Sequence, residues 1–593
     1  MKSKTNIRLA CLATAVGSLM TISAEADAAV RYVTPGGSGD GSSWAEATDD
    51  LQAAIDASSP GDEVWVAAGT YQPFNLINEK VATSYAFILK NGVSLYGGFA
   101  GTETSRDQRQ TKPDGKAWDM ANPTILSGDD DFPDNWERVI APGTSFRYTW
   151  NLSDRNEIPG TEKNCTHVIY AGDVITDHTV IDGFTITGGC ANQYKVKAMG
   201  GGIFAQGDVS ISACRFVENV AYFRNETINP INALGGAVYL NGAGKASVSD
   251  CYFLRSFSNS SYTQGMGGAL FVQNADVARC VFDDCVAEDG GGAVLQFGGS
   301  LRDCTFNNCY GSAGGALYTT GTVENVEVYN CRGLLGGGIY AAEGAVVTHA
   351  KVYDCYADAV EFGEYMGGRG GGIMVEGGSV IGCVVYNNTA FRGAGICVRE
   401  GQAEDRTPLK SMVVSCTVQH NTGRDGYTPT SNIAVWDPAN DNGDDIDPTT
   451  TEYFFNTIGN PDADDSNFRS PSLFKGRAST DDEREALAAA DWSLAQGSEF
   501  IDAGTSTPGV TETTDMAGNP RVVGAAIDRG AYEYLDNSGI DNIATVDPSD
   551  ITATEYYSLT GARLGNDKPA PGYYIAIHSL NDGRRVAQKV IIR

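Results

Sequence analysis

Over residues 200–421 the apolar and polar positions of the chain recur as one repeated unit. A Gly-Gly or Gly-x-Gly pair followed by an apolar run returns with its last glycine at 202, 236, 268, 292, 315, 338, 372 and 395. The spacings are 34, 32, 24, 23, 23, 34 and 23, so the unit is 23 residues and three units carry roughly ten more. The next residue is always Ile or Ala, as in Ile203, Ala237, Ala293 and Ile396. A second signature, C-x-F-x-x-N, follows in each unit, from Cys214/Phe216/Asn219 through Cys304/Phe306/Cys309 to Cys416/Val418/Asn421. The residue inside its first pair varies freely (Arg215, Tyr252, Thr305, Glu327), which is the period-two pattern of a strand with one face buried. Three residues before the first position the chain is always aliphatic (Ile211, Val248, Leu301, Val323, Val413). That odd offset breaks strand parity and requires a bend between the two inward sets.

Units of this length leave no room for a crossover helix, and the leucine framework of leucine-rich repeats is absent. The arrangement that buries every unit is a coil of three short strands stacked on the next, a parallel β-helix. Glycine suits its positive-φ bends, and asparagine its left-handed corners and stacked amides. The open ends of such a stack need covers. Thr48 followed by Asp49, Asp50, Leu51, Ala54 and Ile55 predicts an N-capped amphipathic helix over the N-terminal end, just before the strand at 63–66. Residues 98–165, with Trp118, Trp136 and Trp150, fit the repeat poorly and read as an insertion or cap elaboration. Beyond a linker at 535–539, three strand-like runs near 556–563, 571–575 and 589–593 predict a small C-terminal β-sandwich.

Composition sharpens this picture. The 593 residues carry 42 basic and 74 acidic side chains, a formal charge of −32, which argues against nucleic acid and against docking on anionic lipid. Residues 1–28 have the form of a secretory leader: Lys2, Lys4 and Arg8, an apolar stretch from Leu9 to Ile22, then small residues up to Ala28. No later segment is apolar enough to span a bilayer. The expected organisation is therefore a leader over 1–28, a β-helix over 29–535 and a separate domain over 536–593.

The repeats resemble the right-handed parallel β-helix, or pectin-lyase-like, superfamily. Their flanks are similar to bacterial surface proteins of the polymorphic outer-membrane-protein repeat type, through YVTPGGSGDGSSWAEA from Tyr32, LYGGFAGTETSRDQRQ from Leu95, PTILSGDD from Pro123, SEFIDAGTS from Ser498 and DMAGNPRVVGAAIDRGAYEY from Asp515. Residues 540–593 resemble the C-terminal sorting domain of type IX secretion, found in the Bacteroidetes, through a Y-x-L-x-G strand, the PGYYI run from Pro571 and the terminal KVIIR. These resemblances imply a secreted or outer-membrane surface protein that passes through the periplasm and meets secretion machinery through its last domain. They specify a fold rather than an activity.

Thirteen cysteines follow the leader, and 214, 251, 280 and 304 share one repeat column while 285, 309, 331 and 355 share another. Column neighbours about 4.8 Å apart with parallel Cβ vectors strain a disulfide, so buried thiols are expected. No C-x-x-C pair is present and histidines number five, against a zinc site. No cofactor is required; calcium, if bound, would sit at the acidic loops 129–134, 437–447 or 462–465. An enzyme of this fold would be a polysaccharide lyase or glycoside hydrolase using an Arg or Lys base or a carboxylate pair. The candidates are Asp283 with Asp284, Asp354, Glu361 with Glu364, or Arg369 with Arg392, and no signature selects among them. The three long units extend at one phase and carry aromatics: Tyr222 and Phe223, Phe257 with Tyr262, and Phe362 with Tyr365. Insertions at one phase emerge on one side of a solenoid, where Tyr222, Phe223, Tyr262, Phe362 and Tyr365 would stack on sugar rings. The expected function is binding of polysaccharide or host-surface glycan without catalysis, with the lyase or hydrolase as alternative.

Overall fold

The structure, a computed structural model, describes residues 28–592 except 114, 131–132, 141–147, 151–157, 193–197, 224–231, 261–263, 359–360, 363–364, 367, 404, 424–431, 437–452, 461–462, 508–512, 536–550, 558–562, 567–568, 570–571 and 582–584. The leader, the linker after Leu535, Tyr262 and Glu364 thus lie outside the described residues.

The coil at 317–333 shows how the repeat is built. Leu317–Thr319 and Thr322–Glu324 both enter a first sheet, Glu327–Tyr329 a second, and Arg332–Gly333 a third. Each coil therefore has up to four short strands rather than three, because the first sheet is folded along its length. Among the described residues the first sheet has 22 strands and the second 11, and neighbouring coils pair in parallel and in register, as in Phe282↔Phe306↔Val328↔Val352. This is a parallel β-helix, running from Val30–Val33 to Phe454–Phe455. No described helix is long and apolar enough to cross a membrane.

The parity break seen in the sequence is a single left-handed residue. Between Val323 and Val326, both buried, Asn325 takes φ 52°. Asp250, Arg279, Asp303 and His349 occupy the same corner in other coils at φ 52–56°. A second corner, between the second and third sheets, stacks Glu218, Arg255, Asp284, Asn308, Asn330, Asp354, Asn387 and His420 at φ 48–57°. The recurrent glycine answers a different need. A Cβ on Gly292 would stand 1.9 Å from the carbonyl oxygen of Gly315 in the next coil, so no larger residue fits there.

Inside, the C-x-F-x-x-N columns form ladders. Phe216, Phe253, Phe282 and Phe306 stack with ring centroids 4.7–4.9 Å apart and are wholly buried. Asn388 and Asn421 donate from Nδ2 to the Val352 and Val385 carbonyls at 3.0 Å, and the Asn388 N–H donates to Asn421 Oδ1 at 2.9 Å. All thirteen cysteines after the leader are buried, free thiols.

Helix α1 (Leu51–Ala57) is N-capped by Asp50, whose carboxylate accepts from the Ala53 N–H at 2.9 Å, and not by Thr48. Its Leu51, Ala54 and Ile55 share the core cluster with Val33, Val64, Phe87 and Val93. The stretch 98–165 is not wholly outside the coils. Thr124–Ser127 pairs with Gly69–Tyr71 and Phe184–Thr187 in the second sheet. Of its other described residues, Trp150 and Ile158 lie on the solenoid's flank, where they cover Val220, Phe257, Val286 and Tyr310. Beyond Phe455 the chain turns back along the outside. Trp492, Leu494, Phe468 and α2 (Asp481–Ala488) pack on Tyr353, Val384 and Tyr386 of the second sheet. In the last segment Ile551–Tyr557, Arg563–Gly565, Gly572–Leu580 and Arg585–Ile592 form one four-stranded antiparallel sheet, with no second layer among the described residues.

Candidate functional site

Strand alternation sorts the second sheet cleanly. With the phenylalanine and valine column inside, two columns face outward. One runs Arg215, Tyr252, Val281, Thr305, Glu327, Lys351 and Val384; the other runs Leu254, Asp283, Asn307, Tyr329, Tyr353 and Tyr386. Two excursions of the chain cover the ends of this face and leave its middle open.

At the N-terminal end Trp118 stacks on Tyr252 with centroids 5.9 Å apart, and Arg215 lies 4.6 Å over the same ring while pairing with Asp119 at 3.6 Å. Arg138, from the same excursion, reaches the corner residue Asp284 at 2.5 Å. At the C-terminal end Tyr386 Oη donates to the Leu487 carbonyl at 2.7 Å and Lys351 Nζ to that of Ala488 at 2.6 Å. Arg484 of α2 reaches the wholly buried Asp354 at 2.8 Å. Between these walls Val281, Asp283, Thr305, Asn307, Glu327 and Tyr329 remain partly exposed. They span three strands, about 10 Å from the first to the third. Where this floor meets α2 it deepens into a cleft of about 340 Å³, lined by Glu327, Tyr329 and Tyr353 from the sheet and Asp481, Arg484 and Glu485 from the helix.

The polar groups of the floor are held in place by one another. The Asp283 carboxylate accepts from Tyr252 Oη at 3.1 Å and Asn307 Nδ2 at 2.9 Å. Glu327 accepts from Tyr353 Oη at 3.1 Å and lies 3.5 Å from Lys351 Nζ. Burial, and then the Glu327 charge, raise the Tyr329 and Tyr353 hydroxyls above the ordinary tyrosine value. Both are therefore hydrogen-bond donors at neutral pH. Burial also raises Asp283.

The catalytic candidates of the sequence scatter over this frame. Asp283 and Asp284 reach the open face, but they point from one strand end and its corner, and Asp284 is engaged by Arg138. Asp283 and Glu327 sit two strands and one column apart, about 10 Å or more between backbones. Asp354 is buried under two arginines. Arg369 is 2% exposed with its guanidinium 4.2 Å over Trp436, and its backbone bridges that of Arg392 in the next coil. Glu361 lies in a two-residue strand, Glu361–Phe362, paired antiparallel with Tyr365–Met366; its side chain is outside the described set. No described group of three or more His, Cys, Asp or Glu is set to hold a metal ion. Of the acidic loops, Asp464 caps a short helix and Asp465 pairs with His420 at 2.7 Å; 437–447 are not described.

The aromatics proposed for stacking also part company. Tyr222 and Phe223 are each 3% exposed, and Tyr222 packs with Trp150, Ile158 and Phe257 under the excursion, so neither offers a ring face. The described parts of the insertions do leave at one phase, after the third-sheet strands Val220–Phe223, Phe257–Ser260 and Tyr356–Ala357. Tyr329, Glu327, Asn307, Trp118 and Arg484 were not among the site residues expected from the sequence. The outward positions of the C-x-F-x-x-N repeat pointed to the first three, whereas nothing local places Trp118 or Arg484 beside them.

Carboxyls that are wholly or partly buried make stability depend on pH. Burial raises Asp284 to about 6 despite Arg138, and Glu533 to about 7 despite Arg521. Burial and then the Asp129 charge raise Asp134 to about 7. Each holds its proton more tightly folded than unfolded, so its contribution is full below about pH 4 and is lost as the pH rises through about 6 to 7. The thermal midpoint is expected to fall between about pH 4.5 and 7.5, and the triple variant Asp134→Asn, Asp284→Asn, Glu533→Gln to flatten that slope. A midpoint that climbs over this range would contradict the assignment.

Comparison with known proteins agrees with the architecture. The family described as "Right handed beta helix region" matches residues 236–428. No curated protein matches the chain. Among solved structures, the crystal structure of pectate lyase Pel9A is similar over 86% of this chain and 97% of its own, at 13% identity and a TM-score of 0.30. A rhamnogalacturonan lyase is similar over 77% of this chain and 98% of its own, at 12% identity and a TM-score of 0.27. At such values neither likeness bears on activity.

Proposed function

We propose that this right-handed β-helix binds a glycan on the open outer face of its second sheet and does not cleave it. The observation that carries the reading is the floor itself: Tyr329 with Asp283, Asn307 and Glu327, between two walls built by separate excursions. Aromatic and hydrogen-bonding groups at fixed spacing are what a sugar ring with apolar C–H faces and peripheral hydroxyls needs. The cleft carries Glu327, Asp481 and Glu485 against Arg484, whose charge Asp354 and Asp481 already engage. That balance favours a neutral or amino-bearing glycan over a polyuronate. Tyr262, outside the described residues, and Phe362 and Tyr365, whose side chains are outside them too, remain in this proposal as further stacking groups; the buried Tyr222 and Phe223 do not.

The test is a panel of polysaccharides offered to the full chain, read for both binding and cleavage. Tyr329→Ala combined with Asp283→Asn is expected to weaken binding about tenfold or more, the effect of losing roughly 1.4 kcal/mol of contacts, in a variant that still melts cooperatively although the lost Tyr329–Tyr353 stack lowers its midpoint. New ultraviolet absorbance from unsaturated uronides would establish the lyase instead, and new reducing ends the hydrolase.

Export through the periplasm to the cell surface is part of the proposal, with residues 1–28 as leader and 536–593 as the address read by the secretion machinery. A chain ending at Leu535 is expected to keep its melting transition and accumulate in the periplasm. Normal arrival of that truncated chain at the surface would remove the sorting role.

A further inference from the structure

A second cavity lies where the solenoid begins. It encloses about 630 Å³, within the range of about 300–1,000 Å³ typical of small-ligand sites. It opens between the first turn of α1, the strand Gly69–Tyr71 and the hairpin of Asn75–Leu76 with Tyr85–Ile88. Its inner wall is apolar, formed by the buried side chains of Leu51, Tyr71 and Phe87. At its rim Phe74 is 79% exposed, an unusual setting for a phenylalanine, and the paired Leu76 and Tyr85 of the adjoining hairpin, outside the lining, are exposed as well. The Asp49 and Asn75 side chains stand beside it without a hydrogen bond to any described residue.

The lining restricts what fits. An anion would meet Asp49 and Asp50, with no Lys or Arg in the lining to offset them. A wholly apolar ligand would offer the Asp49 and Asn75 side chains at the cavity edge no hydrogen-bond partner. A sugar ring satisfies both demands, laying a C–H face on Phe74 and hydroxyls against Asp49 and Asn75. We propose that this cavity takes a neutral or amino-bearing saccharide of one or two rings, as a binding site distinct from the second-sheet face. Gly69–Tyr71 is the first strand of that same sheet, five strands before Val281–Asp283, so the two sites are about 24 Å apart along the stack. One polymer reaching both would be held with the gain of an intramolecular second contact.

The cavity stands on its own lining and not on the second-sheet reading, and the test separates them. Glucose, galactose, mannose and glucosamine are titrated against the full chain by saturation-transfer NMR, with galacturonate as the anionic control. At least one neutral or amino sugar is expected to bind. Phe74→Ala and Asp49→Asn are each expected to weaken it about fivefold, while Tyr329→Ala leaves that binding in place. Absence of binding by all four sugars, preference for galacturonate, or affinity unchanged in both cavity variants would overturn the proposal. Affinity lost in Tyr329→Ala alone would overturn it too, while upholding the second-sheet site.

Discussion

Replacing Phe306 by alanine is expected to cost about 3–5 kcal/mol, the usual penalty for emptying a fully buried phenylalanine site. Phe306 ends a stack that begins at Phe216 and meets Phe282 at 4.9 Å with rings 9° from parallel. The backbone cannot relax into the void, because the strands above and below are pinned in register by Phe282↔Phe306↔Val328. Thr305→Ala, one residue away on the outward side and partly exposed, is expected to change stability by no more than about 0.5 kcal/mol. Shifts in the urea midpoint of the two variants measure the contrast. A loss below about 1 kcal/mol for Phe306→Ala would show that the phenylalanine column is not the core it is taken to be.

The second large effect is expected at Asp354→Ala. This carboxylate is wholly buried and accepts from Arg484 Nε at 2.8 Å, Arg477 Nε at 3.2 Å and the Ala478 N–H at 2.9 Å. Its removal is expected to cost about 3 kcal/mol, below the usual figure for breaking a fully buried ion pair, because the partly exposed Arg477 and Arg484 keep water and Arg484 keeps Asp481. The backbone adds to this, since Asp354 holds a left-handed corner at φ 54°, which alanine adopts less readily than aspartate or asparagine. Asp354→Asn keeps the corner and the acceptor for Ala478 while removing the charge, and so isolates the ionic part. Loss of the cluster frees α2, one wall of the proposed glycan cleft. Proteases are therefore expected to cut near 475–490 in Asp354→Ala, and glycan binding to weaken together with that cleavage. Unchanged protease resistance would mean that the apolar contacts of Trp492 and Leu487 hold the segment without Asp354.

How far the sequence reaches follows from the range of the interactions. The coil was legible because each of its rules acts within one repeat or between neighbours. Inward Phe282 and Phe306 stack on the same residue type one coil away, Gly292 is pressed by the Gly315 carbonyl, and Asn325 bends the chain between Val323 and Val326. Each rule recurs from coil to coil, with valine taking over the phenylalanine column after Phe306, so a single sequence displays it many times. Four strands where three were expected is a small departure, since both first-sheet strands obey the same alternation and only the 320–321 bend separates them. The capping residue of α1 moved from Thr48 to Asp50 because both side chains are competent caps, and packing of Leu51 and Ile55 into the core decides where the helix starts.

The open face is another matter. That Asp283, Asn307 and Tyr329 share an outward column follows from alternation, and the sequence alone implies it. That they form a floor does not, because the walls come from segments that occur once. Trp118 reaches Tyr252 at a sequence separation of 134 and Arg484 reaches Asp354 at one of 130. No period or motif announces such contacts; they arise from the fit of an irregular excursion onto the finished solenoid. The same fit buries Tyr222, which the repeat had placed on an insertion open to solvent, under Trp150 and Ile158. Repetition thus determined the scaffold and the columns it presents, because short-range constraints repeated in every coil leave one solution. Which of those columns stay open to a ligand was decided only in the tertiary structure, by two unrepeated segments folding back over the same sheet.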